Sequence, residues 1–170
     1  MSTYMQYFFD HSGQVLPVVA VATLWLGFAA LGGAASGAGR MRALDPLVGW
    51  AWIGFVFTTA GVFLATPFTY LAMVTAVMAA GACVWVWRRD GGVVPSVFLR
   101  MLVLTIPFLL LVSAMQASQW DEFSDWMIIP RYMLESDAFP SKHNPYPNAV
   151  FTGYPYSWHF VTYLASRIAG

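Results

Sequence analysis

The sequence predicts an all-α integral membrane protein, and three observations carry that prediction. Of 170 residues, 59% are hydrophobic and only 9% are charged, with a mean hydropathy of +0.62, whereas soluble domains carry about 25% charged residues. The apolar residues gather into four runs of spanning length, since a helix rising about 1.5 Å per residue needs about 20 residues to cross a core of about 30 Å. Arginine and proline punctuate the chain between those runs, at Arg40, Arg42, Pro46, Pro67, Arg88, Arg89 and Pro95.

The first 14 residues hold Asp10 and His11 but no Lys or Arg, so they lack the basic start of a cleavable signal peptide. They form a short tail whose Tyr4, Tyr7, Phe8 and Phe9 suit the membrane interface. The first span covers about 15–36. Its second half, Ala29 to Gly37, places small residues four apart, which lets another helix approach closely. Arg40 and Arg42 end it. Asp45-Pro46 restarts the chain, with Asp expected as a cap and Pro in the first turn. The second span covers about 47–66 and stops at Pro67, and the third covers about 68–87. So short a connection makes spans two and three an antiparallel hairpin. Trp85, Trp87 and Arg88-Arg89-Asp90 close the third span and Gly91-Gly92 loosens the chain. Pro95-Ser96 leads into a fourth span over about 99–118, with Arg100 near its start and Pro107 expected to kink it. Cys83 lies alone in an apolar run, so no disulfide forms within the chain.

Arginine placement fixes the orientation. Arg40 and Arg42 separate spans one and two, and Arg88, Arg89 and Arg100 separate spans three and four. The positive-inside bias then places the N-terminus and everything after residue 118 on the external, periplasmic side of the cytoplasmic membrane. The chain thus divides into a four-helix membrane domain (1–118), an external acidic and aromatic loop (119–157) and an apolar helix (158–170), too short to span, that could begin an incomplete fifth span. Within the loop, 125–135 is expected as a short interfacial helix interrupted by Pro130, and 136–157 as a Pro-rich loop.

Net charge is zero, yet Asp121, Glu122, Asp125, Glu135 and Asp137 put five of the eight acids in one segment. No polybasic run marks a nucleic-acid partner. Three acids bracketed by Trp120 and Trp126 cost too much to sit in hydrocarbon, so they mark the place where the fourth span surfaces. On a helix Asp121 and Asp125 share a face, with Glu122 about 100° away. Such carboxylates could act as a general base or hold a divalent metal, Mg or Mn, at Asp121 and Glu122. They could equally be a solvated acidic helix end. Arg131, beside Tyr132, could bind a phosphate or extend towards headgroups. Lys142 and His143 offer a second cationic pair, or two solvated loop residues. The run from Gly153 through Tyr154, Tyr156, Trp158 and His159 combines a turn with aromatics that stack on sugars or line an interface. Spans one to four carry no mid-membrane charge, which disfavours an ion pump or proton relay.

The order Trp120-Asp121-Glu122-Phe123-Ser124-Asp125-Trp126, then Pro130-Arg131-Tyr132-Met133-Leu134, then Gly153-Tyr154-Pro155 resembles the first external loop of the GT-C class of membrane glycosyltransferases. That resemblance covers about residues 118–165. It implies transfer from polyprenyl-phosphate sugars, with Asp121 or Glu122, or alternatively Asp125, as catalytic acid/base. Arg131 would face the lipid phosphate, and Tyr154, Tyr156 and Trp158 would line the channel. Members of the class usually have eight or more spans, so the chain would be the N-terminal part of such an enzyme or a short relative that needs a partner. The other reading is a non-catalytic helical subunit docked on a larger membrane complex, alone or as an oligomer.

Overall fold

The computed structural model describes residues 15–37, 41–113, 127–139 and 156–169. Every regular element within them is helical: α1 (Val15–Ala35), α2 (Asp45–Phe63), α3 (Phe68–Asp90), α4 (Ser96–Ser113), α5 (Ile128–Ser136) and α6 (Ser157–Ala169), with one 3-10 turn, Arg42–Leu44, leading into α2. Three segments, Leu16–Ala35, Arg42–Phe63 and Phe68–Asp90, are long and apolar enough to cross a membrane, and α4 contributes a shorter apolar stretch, Ser96–Pro107. This fits a membrane protein.

Helix α1 is the centre of the bundle. It packs most extensively on α2, then on α3, then on α6, whereas α2 and α3 meet each other only slightly. The connection expected to make α2 and α3 a hairpin is present, but α1 spans the angle between them. Two glycines allow this. A Cβ on Gly32 would land on the carbonyl oxygen of Asp45, and one on Gly49 would land on that of Phe28. The small-residue stripe of the first span is therefore used inside the chain.

Several boundaries differ from expectation for local reasons. The N-cap of α2 is Leu44, with no side-chain cap bond; Asp45 is already helical and is buried with Pro46. Helix α2 stops at Phe63 rather than 66, and Ala65 just beyond takes φ +47°. Helix α3 continues past 87 to Asp90, which puts Arg88 and Arg89 in a last turn whose dipole favours cations. Gly91, at φ +73°, donates its N–H to Trp87 O at 2.9 Å and ends the helix in the left-handed region that glycine adopts freely. Pro130 does not interrupt α5. The helix begins at Ile128, so the proline falls in the first turn, where its missing N–H has no intrahelical partner to lose.

The two ends of the bundle differ. At the arginine end, Arg89 donates to Gly33 O at 2.8 Å and Arg42 donates to Gly92 O. Asp90 pairs with Arg89 at 2.9 Å and lies 3.8 Å from Arg42. Cations thus meet carbonyls where α1 and α3 run out. At the hairpin end lies an aromatic core. Phe57 sits 5.6 Å from Phe68 and 5.4 Å from Phe160, and Phe68 sits 5.7 Å from Tyr163, all between ring centroids. Such pairs add about 0.5–1.5 kcal/mol each beyond the area they bury.

Candidate functional site

The polar centre of the described structure is Asp137. It follows the last turn of α5 with φ +51° and ψ +26°, and its N–H closes onto Met133 O at 3.0 Å. Aspartate is among the few residues that accept this backbone conformation. Its carbonyl oxygen accepts the N–H of Phe68 at 2.9 Å. Its Oδ1 accepts the N–H of Thr69 at 2.9 Å and the Thr69 hydroxyl at 2.8 Å. The same oxygen accepts Tyr163 Oη–H at 3.0 Å and Arg167 Nη2–H at 3.2 Å.

The first residues of α3 explain why an acid is drawn there. Helix α3 starts behind Pro67, which supplies no side-chain cap. The leading N–H groups of a helix need acceptors from elsewhere, and a negative charge is favoured at that end. Asp137 supplies both, from 68 residues away in sequence. Tyr163 and Arg167 reach it from successive turns of α6, and Arg167 Nε–H also donates to Tyr163 Oη at 3.3 Å.

Helix α6 lies alongside the bundle. Its first residue, Ser157, packs near Gly54, in the middle of α2, and Trp50 Nε1–H donates to Ser157 O at 3.2 Å. His159, Phe160, Tyr163 and Leu164 form its buried face. Helix α5 lies against α6 through buried Ile129 and Met133.

The residues singled out from sequence are distributed unevenly. Asp121, Glu122, Asp125, Lys142, His143 and Tyr154 lie outside the described residues. Arg131 stands on the exposed side of α5 and pairs with Glu135 at 2.7 Å, which holds its guanidinium pKa further above the ordinary arginine range. Tyr132 is half-buried on the same helix. Tyr156, Trp158 and His159 come together around the start of α6. Tyr156 lies 4.6 Å from Phe139, Trp158 lies 4.8 Å from Trp50 with half its surface open, and His159 is buried. Arg131 and His159 therefore occupy an exposed and a buried position, respectively. Among the described residues no group of three His, Cys, Asp or Glu is placed to hold a metal.

Among the described residues, depressions run along the helices. A cleft of about 490 Å³ separates α2 from α3, with Leu31 and Ala34 of α1 as its floor and Trp52 and Trp85 among its walls. A groove of about 480 Å³ runs between α1, α3 and α6, with Thr69 and Arg167 at one end and Cys83 at the other.

Sequence reasoning missed the Asp137, Thr69, Tyr163 and Arg167 centre. One signal pointed to it: Pro67-Phe68-Thr69 opens an apolar helix with no Ser, Thr, Asp or Asn at the cap, so an acceptor had to come from a distant segment. Which acid would supply it is a tertiary matter. Comparison with known proteins names no relative: no protein-family model, no curated protein and no solved structure matches the chain.

Proposed function

We propose that the protein is integral to the cytoplasmic membrane with four spans, α4 being part of the fourth. In this reading it forms the N-terminal part of a GT-C-like transferase acting on polyprenyl-phosphate-linked sugars at the external face. One observation carries the reading. The segment that follows the acidic run returns to the bundle at the end opposite the arginines and is fastened there through Asp137 to the start of α3. That is the end which the arginine distribution assigns to the exterior. Arg131, exposed on α5, is then available to a lipid phosphate close to Asp121, Glu122 and Asp125 in sequence. Inverting transfer needs an acceptor deprotonated beside the anomeric carbon, which is the work of one of those carboxylates. A divalent metal at Asp121 and Glu122 would neutralise the departing phosphate.

The test is binding of polyprenyl phosphate to the protein in nanodiscs, comparing wild type with Arg131→Ala and with the Asp121→Asn/Glu122→Gln double variant. Saturable binding that weakens at least tenfold in Arg131→Ala is the expected result. Equal binding by all three proteins, or none by folded wild type, removes the proposal.

A second reading rests on α4. Its described side chains from Val97 to Ile106 are largely exposed, including Leu99, Met101, Val103 and Leu104, and Phe98 meets α1 at Trp25 with ring centroids 6.0 Å apart. A helix so open suits a non-catalytic subunit that docks on a larger membrane complex. Stable co-purification of one membrane protein, lost on placing Arg at Val103, supports that reading over the first.

A further inference from the structure

The groove between α1, α3 and α6 has a chemistry of its own. From Thr69 to Cys83 it follows α3 for about 21 Å at about 1.5 Å per residue. That exceeds the half-thickness of about 15 Å in a bilayer core of about 30 Å. Ala72, Ala76, Ala79 and Ala80 form its bed, and Leu24, Leu26 and Leu164 stand among its walls. At about 480 Å³ it has the size of a ligand pocket. Water gains little from such a wall, whereas a hydrocarbon chain covers it without leaving a polar group unsatisfied.

The charge lies at one end. Arg167 carries five N–H donors; among the described residues Nε serves Tyr163 and Nη2 serves Asp137, and the side chain remains 38% exposed. The oxygen that faces it, Asp137 Oδ1, is shared with the Thr69 N–H, the Thr69 hydroxyl and the Tyr163 hydroxyl. The carboxylate is thus drawn towards the start of α3, and part of the positive field of Arg167 is left for an anion at the mouth of the groove.

We propose that this groove seats one acyl chain of an anionic phospholipid from the surrounding bilayer, with its phosphate against Arg167. The site stands without the transferase reading, because it uses neither Arg131 nor the acidic run.

Delipidated protein in detergent is titrated with phosphatidylglycerol, phosphatidylcholine, polyprenyl phosphate or inorganic phosphate. Adducts are read by native mass spectrometry and unfolding temperature by intrinsic tryptophan fluorescence. The expected result is one tightly held phosphatidylglycerol, at least tenfold preferred over phosphatidylcholine, that raises the unfolding temperature; inorganic phosphate alone does not reproduce this. Arg167→Gln abolishes the preference and Arg167→Lys restores most of it. Ala76→Trp, which fills the groove but leaves the Asp137 centre untouched, removes the bound lipid from a folded protein. Four results overturn the proposal: equal binding of both phospholipids, a preference for polyprenyl phosphate, full binding by Ala76→Trp, or no adduct on folded wild type, which would mean that other residues of the chain cover the groove.

Discussion

Asp137 and Thr69 lie 68 positions apart, yet the carboxylate of the first accepts both the main-chain N–H and the hydroxyl of the second, at 2.9 and 2.8 Å. One acid thereby ends α5 in a left-handed turn, caps α3 and anchors α6 through Tyr163 and Arg167. Asp137→Ala should lose the cap and strain the turn, a destabilisation of about 2 kcal/mol. Asp137→Asn keeps an acceptor for Thr69 and tolerates the left-handed backbone, so it should cost clearly less. Urea unfolding in detergent checks the order; an Ala variant as stable as wild type would show that the cap contributes nothing.

Glycine substitutions should divide by place. Gly49→Ala puts a methyl group on the carbonyl of Phe28, so α1 and α2 must part, at a cost of about 1–3 kcal/mol. Among the described residues, a Cβ on Gly81 meets no atom of another segment within 4 Å, and Gly81→Ala should stabilise α3 by about 0.5–1 kcal/mol. The same unfolding assay reads both. Destabilisation by Gly81→Ala equal to that of Gly49→Ala would mean that helix approach is not what Gly49 provides.

At the arginine end, Arg89 and Arg88 are neighbours with different work. Arg89 donates to Gly33 O and pairs with Asp90, and its guanidinium lies 4.8 Å over the Trp85 ring. Arg88 is exposed on the same turn. Arg89→Ala should therefore cost about 1–2 kcal/mol, and Arg88→Ala no more than about 0.5 kcal/mol. Arg89→Lys should recover little, since a single ammonium cannot serve a carbonyl and a carboxylate with a planar fork. Matching midpoints for the two alanine variants would remove the cap at Gly33.

The helices were legible in sequence because hydrophobic length, Pro67, Gly91 and the arginines are local signals. The ends were less so. Helix α2 ends early at Phe63, ahead of a left-handed backbone angle at Ala65 that has no local sequence sign, and the tolerance of Pro130 depends on where α5 happens to begin. The small residues around Gly32 showed that a helix comes close but not which one; that needed Gly49 and Asp45 as partners. Although Asp121, Glu122 and Asp125 lie outside the described residues, the acids and aromatics after the fourth apolar run were legible as composition. The Asp137 centre was not, because it joins three segments through side chains whose sequence neighbours carry no trace of one another.

The position of the cap also sets an order in time. Asp137 leaves the ribosome 68 residues after Thr69, roughly 3–14 s later at synthesis rates of about 5–20 residues per second. Throughout that interval the leading turn of α3 has no carboxylate from Asp137, and α1 lacks the partner it later finds in α6. The chain is therefore assembled like a clasp: the early helices are laid down first, and a late-made segment closes over their open end. A nascent chain arrested before residue 137 should present that end unclosed to whatever insertion machinery or protease is near.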